Sequence, residues 1–154
     1  MSNEDLSPNR KEIFSGSLVM FIGLYYLLTL VSGFLQSTGK PGSFGILQFK
    51  WLFTGVLYVS GGIAMFRMKR TGWLIVAATL LLHTMLMLLL VFRVIAQGEF
   101  NRFHIFPLLF FVIVLMALGF LFQKETRLRF EVNNKAYLLT IGLYLVLVVV
   151  NYVL

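Results

Sequence analysis

The sequence predicts an all-α integral membrane protein, a polytopic bundle of five transmembrane helices with no soluble domain. Three observations predict it. Hydrophobic residues make up 59% of the 154 and charged residues only 12%, against about 45–50% and about 25% in a soluble domain. The mean hydropathy is +0.89, and 16 Phe, 6 Tyr and 2 Trp bring more apolar surface than a chain of this length can hide from water. Apolar runs able to cross a hydrocarbon core of ~30 Å, which takes about 17–25 helical residues, occur five times.

The elements follow in order. A polar tail at 1–12, expected on the cytoplasmic side, ends in Arg10, Lys11 and Glu12. The first run, 13–35, exceeds the roughly 7–15 apolar residues of a signal-peptide core and is followed by no small-residue cleavage site, so it reads as a retained span. The second, 46–66, is interrupted by Lys50, whose ammonium snorkels to the interface from one turn inside a helix; without this segment four spans would be left. The third covers 73–95, the fourth 105–122 and the fifth 136–154, and the connections are too short to fold alone, so 13–154 forms one transmembrane domain.

Charge gives the orientation, because Lys and Arg are retained on the cytoplasmic side. Five spans put Arg10, Lys11, Arg67, Lys69, Arg70, Lys124, Arg127, Arg129 and Lys135 at one end, and Lys40, Lys50, Arg93 and Arg102 at the other. Nine against four predicts an N-terminus inside a prokaryotic-type inner membrane and a C-terminus outside. The net charge of +7 sits in these turns, which points to anionic lipid headgroups and not to nucleic acid. Arg93 is expected to snorkel and pair with Glu99 or a lipid phosphate, while Trp51, Trp73, Tyr137 and Tyr152 fit interfacial aromatic belts.

Several chemistries lack their residues. The chain has no Cys, hence no disulfide, thiolate nucleophile or Cys-based metal site. No Asp or Glu falls within the five runs, so the buried carboxylate of proton- and cation-coupled transporters is missing. Neither G-x-S-x-G nor H-E-x-x-H occurs, and no catalytic or metal-binding residue is assigned.

Neutral polar residues are left, and they keep helical spacing. Tyr25, Thr29, Ser32 and Gln36 share one face of the first span, at i, i+4, i+7 and i+11. Thr54, Tyr58, Gly61 and Met65 repeat the pattern in the second, Val76, Thr79 and His83 lie on a third stripe, and Tyr137, Thr140, Tyr144 and Asn151 on a fifth. The fourth span has no hydrogen-bonding side chain from Pro107 to Phe122 and reads as a peripheral helix. Gly55, Gly61, Gly62 and Ala64 read as a close-packing surface.

Tyr25, Tyr58, His83 and Tyr144 fall near the middle of their spans, so inward-facing stripes would make one central polar layer. His83, with Thr79 one turn below it, is the sharpest candidate, because an ionisable residue at mid-membrane is a functional hypothesis by default. The bland alternative is a neutral imidazole bonded between helices. By elimination, the leading expectation is an accessory or structural subunit, or assembly partner, of a larger membrane complex, with no cofactor. A second is a binding protein or permease for a small hydrophobic or quinone-like molecule at the Tyr25, Tyr58, His83, Tyr144 and Thr79 layer. A third is a redox subunit with His83 as one haem ligand; His104 sits about half a bilayer away and makes a poor second.

Overall fold

The computed structural model describes residues 7–36, 45–97 and 105–152. Lys40, Glu99, Arg102 and His104, and the side chain of Gln36, lie outside what it describes. The described residues are all-helical: α1 (Arg10–Gln36), α2 (Ile46–Phe66), α3 (Arg70–Gln97), α4 (Ile105–Phe122), α5 (Lys124–Arg129) and α6 (Asn134–Tyr152). All but α5 are long and apolar enough to cross a membrane. The shortest of these, α4, has 18 residues, or about 27 Å at the helical rise.

The five long helices run up and down, with α3 in the middle. Around it α4, α1, α2 and α6 follow in that order, each touching α3. Trp73, Val76, Ala77, Ala78, Leu80 and Leu82 of α3 are buried on all sides. The closest pair is α1 with α2, because glycines remove the side chains between them. A Cβ on Gly23 would lie 2.9 Å from the Gly55 carbonyl, and one on Gly62 would lie 2.7 Å from the Gly16 carbonyl. Small residues at seven-residue spacing on both helices let the backbones meet. Gly61 packs on Ile75, and Gly72 lies directly on the backbone of Ala64 and Met65.

Helix ends explain where the elements begin and stop. Asn9 caps α1: its Oδ1 accepts the Lys11 and Glu12 amides at 3.0 Å, while Glu12 Oε2 accepts the Asn9 amide at 2.7 Å. This reciprocal capping box draws Glu12 into the helix, where it is fully buried. The expectation that no span carries a carboxylate is therefore corrected, since α1 starts three residues earlier than 13 and takes Glu12 with it. Its charge meets Arg129 of α5 at 3.3 Å, and Arg129 also donates to the Ser7 carbonyl.

The segment after the fourth span is not a plain loop. It forms α5 and buries Thr126 and Phe130. Helices α2 and α5 end in the same way. Lys69 N–H reaches the Ala64 carbonyl and Met68 N–H the Met65 carbonyl; Val132 N–H reaches Arg127 and Glu131 N–H reaches Leu128. These are Schellman turns, whose left-handed position usually holds glycine. Here Met68 and Glu131 occupy it, each at φ 52.

Two sequence expectations change. Trp73 does not sit in an interfacial belt: it is fully buried, donates to the Leu121 carbonyl at 3.2 Å and packs on Phe122 and Tyr137. The polar stripe of α1 faces outward, with Tyr25, 65% exposed, Thr29 and Ser32 on the outer side; the hydroxyls of Thr29 and Ser32 bond their own helix carbonyls. The inward face is Ser15, Val19, Ile22 and Leu30, the more apolar one. By contrast, the stripes of α2, α3 and α6 do face inward, and α4 is peripheral, burying Val114, Ala117 and Leu121 along one edge. Lys50 donates to the Asn151 carbonyl at 2.8 Å, closing the last turn of α6 with a cation.

Candidate functional site

His83 is 6% exposed, on the side of α3 that meets α1 and α2. Its Nδ1 lies 2.9 Å from the Thr79 carbonyl one turn earlier. A carbonyl only accepts, so Nδ1 carries the proton, and in the neutral ring Nε2 is left as an acceptor. Nε2 has no partner among the described residues and is not sealed from the exterior.

The ring reaches a groove of about 290 Å³ lined by Phe21, Ile22, Tyr25, Tyr26, His83 and Phe110. These come from α1, α3 and α4, and the groove opens on the outer surface where α1 and α4 part. An unbroken aromatic series runs from this opening inward. Tyr25 and Tyr26 ring centroids are 6.4 Å apart, Tyr26 and Tyr58 6.0 Å, and Tyr58 and His83 5.7 Å, all edge to face. Each such pair contributes about 0.5–1.5 kcal/mol beyond its buried area, which fixes the imidazole plane.

Behind the imidazole the interior is polar but loosely bonded. Tyr58 and Thr79 bring their hydroxyls together, although neither completes a well-formed hydrogen bond, and the Thr54 and Thr84 hydroxyls are likewise unsatisfied. The groove thus combines a wall for a flat apolar molecule with one oriented acceptor. The described residues contain no group of three or more His, Asp or Glu able to share a metal ion.

Of the five residues expected to form a layer, Tyr25, Tyr58, His83 and Thr79 are brought together, Tyr25 at the rim and Tyr58 in the interior. Tyr144 makes no direct contact with the other four; it lies on α6, against α3. Its hydroxyl donates to Met85 Sδ, on the face of α3 turned to α6, where Leu82, Met85, Val148 and Tyr152 line a second, smaller recess. The expected layer is therefore not one contact cluster: Tyr144 bonds to Met85, away from the His83 ring.

Sequence reasoning passed over Tyr26, Phe21 and Phe110. A signal for Tyr26 existed: it continues the buried series Ser15, Val19 and Ile22 at four- and three-residue steps. The hydroxyl-based stripe selected its neighbour Tyr25 instead. Compared with protein-family models, with curated proteins and with solved structures, the chain matches none of them.

Proposed function

We propose that this chain is a multi-pass protein of a prokaryotic-type inner membrane, N-terminus in the cytoplasm, that binds a lipid-soluble molecule carrying a hydrogen-bond donor, of the quinol-headgroup kind, in the His83 groove. The observation that carries this reading is the fixed imidazole: Nδ1 is committed to the Thr79 carbonyl, and Nε2 is free beside an aromatic groove that opens toward lipid. A ligand diffusing in the bilayer enters laterally between α1 and α4, lays its ring against Phe21, Tyr26 and Phe110, and donates a hydroxyl to Nε2. The hydroxylated form is favoured over a carbonyl form, because Nε2 accepts and does not donate. The groove offers a wall and one oriented acceptor, which suits binding or passage.

The accessory-subunit reading rests on α4 and α6, which leave most of their apolar surface uncovered. Lipid covers such a surface as well as a partner does. Extraction into native nanodiscs, followed by identification of small molecules bound to wild type and to His83→Leu, tests the proposal. It expects one enriched hydroxylated aromatic lipid in wild type and its loss from His83→Leu at unchanged yield. Bulk lipid alone, a Soret band from a haem on His83, or co-purifying membrane subunits with an empty groove would each overturn it.

A further inference from the structure

The two Schellman turns that end α2 and α5 face each other across a recess at the cation-rich end of the bundle. It measures about 430 Å³ and is walled by residues 67–71 and 129–131. Four cations line it, Arg67, Lys69, Arg70 and Arg129, against one carboxylate, Glu131. Glu131 forms no ion pair with any of them.

Two of the four are held from behind. The Arg70 guanidinium donates to Asn133 Oδ1, the cap of α6, and the Arg129 guanidinium is fixed by Glu12 and by the Ser7 carbonyl. Planar guanidiniums in set positions suit the oxygens of a phosphate group. The other two, Arg67 and Lys69, have no side-chain partner among the described residues and flank Met68, one of the two left-handed residues. Charges needed only for topology need no concavity and no anchored guanidinium. This end therefore has two cations already oriented, two free to close, and a cavity between them.

We propose that this recess is a binding site for a phosphate group, either that of an anionic phospholipid headgroup or free phosphate. It lies at the helix ends, where the phosphate layer of a bilayer runs if α2 and α3 cross, and it is independent of the His83 groove. The balance still attracts an anion, because two positive charges are left after Glu131 in the recess and Glu12 on Arg129 are counted.

Native mass spectrometry of the full chain in detergent, with equal amounts of phosphatidylglycerol and phosphatidylcholine added, tests the site. Wild type is expected to retain phosphatidylglycerol preferentially. Arg67→Gln with Lys69→Gln should weaken that retention by about thirtyfold, at the usual contribution per interfacial cation, while Glu131→Gln should strengthen it. Lys124→Gln with Lys135→Gln removes the same charge from the same end outside the recess and should change retention less than about threefold, since only unscreened proximity is lost. Excess inorganic phosphate assigns the source: displacement of the lipid means that the recess takes the bare phosphate group, and persistence means that it takes the lipid headgroup. Equal loss in the two double variants, or equal retention of both lipids by wild type, would overturn the proposal.

Discussion

Arg129 of α5 places its Nε 3.3 Å from Oε1 of Glu12, a carboxylate in the first turn of α1 that is fully buried. More than a hundred residues separate the two in sequence, and the pair fastens the start of the bundle to the connection between its last two long helices. Removing one partner of a buried pair strands the other charge, which costs about 3–5 kcal/mol. Arg129→Gln is expected to destabilise the protein by about 3 kcal/mol in denaturant unfolding in micelles, and adding Glu12→Gln should restore at least half of that loss. Gln keeps the capping box with Asn9, so the recovery isolates the charge. Additive losses would show that the pair is not coupled.

The crossing of α1 and α2 predicts a contrast among glycines. A Cβ on Gly23 would lie 2.8 Å from Tyr58 Cβ and 2.9 Å from the Gly55 carbonyl, whereas Gly119 and Gly142 have nothing within 4 Å. Gly23→Ala should lower stability by about 1–3 kcal/mol through overpacking. Gly142→Ala should raise it by up to about 1 kcal/mol through helix propensity. Thermal unfolding of the two variants compared with wild type checks both signs.

For α4 the burial pattern sets which exchanges are tolerated. Leu109, Val112, Ile113 and Leu115 are exposed and should accept Leu, Ile, Phe or Val with changes below about 0.5 kcal/mol. Ala117 is fully buried, and its carbonyl accepts the Ser15 hydroxyl at 3.1 Å; Ala117→Leu should cost about 1–3 kcal/mol. Detergent-resistant yield of each variant is the measurement. Uniform intolerance around the helix would place α4 inside an assembly.

How much of this was legible in the sequence depended on what ended each apolar run. The second and fourth spans were placed at 46–66 and 105–122, where the structure has Ile46–Phe66 and Ile105–Phe122, because charge or loop residues stop both runs abruptly. The other starts were set late, since α1 and α6 begin in polar sequence held by Asn9 and Asn133. The signature for the first, Asn9 three residues before Glu12 ahead of an apolar run, was present. Helix α5, six residues long, is too short to show a period.

In the site, period 3.6 found Tyr58, Thr79 and His83, where polar residues do face inward. It misplaced Tyr25 because a hydroxyl in an apolar solvent need not seek a neighbouring helix. Thr29, for example, bonds the Tyr25 carbonyl at 2.9 Å, which satisfies it on the outer face. The groove itself depends on where α1 and α4 part, and single-helix patterns carry no trace of that.

The fold gathers the nine cations at one end through pairs such as Lys11 with Gln123 and Arg70 with Asn133, and this predicts an orientation. That end should be cytoplasmic. A periplasm-active reporter fused after Leu154, which lies outside the described residues, should be active, and a cytoplasm-active reporter should be silent. The opposite pattern would reverse the topology.

The central claim is that His83 Nε2 accepts a hydrogen bond from a ligand in the groove. Its most direct measurement compares the affinity of the purified chain for an alkyl-tailed hydroquinone and for the corresponding dimethyl ether, which keeps the ring and tail but has no donor. The ether should bind wild type at least about tenfold more weakly, the usual effect of losing one buried hydrogen bond and stranding its partner, and His83→Leu should bind both equally. Equal affinity of wild type for the two compounds, or a preference that survives His83→Leu, would contradict the account.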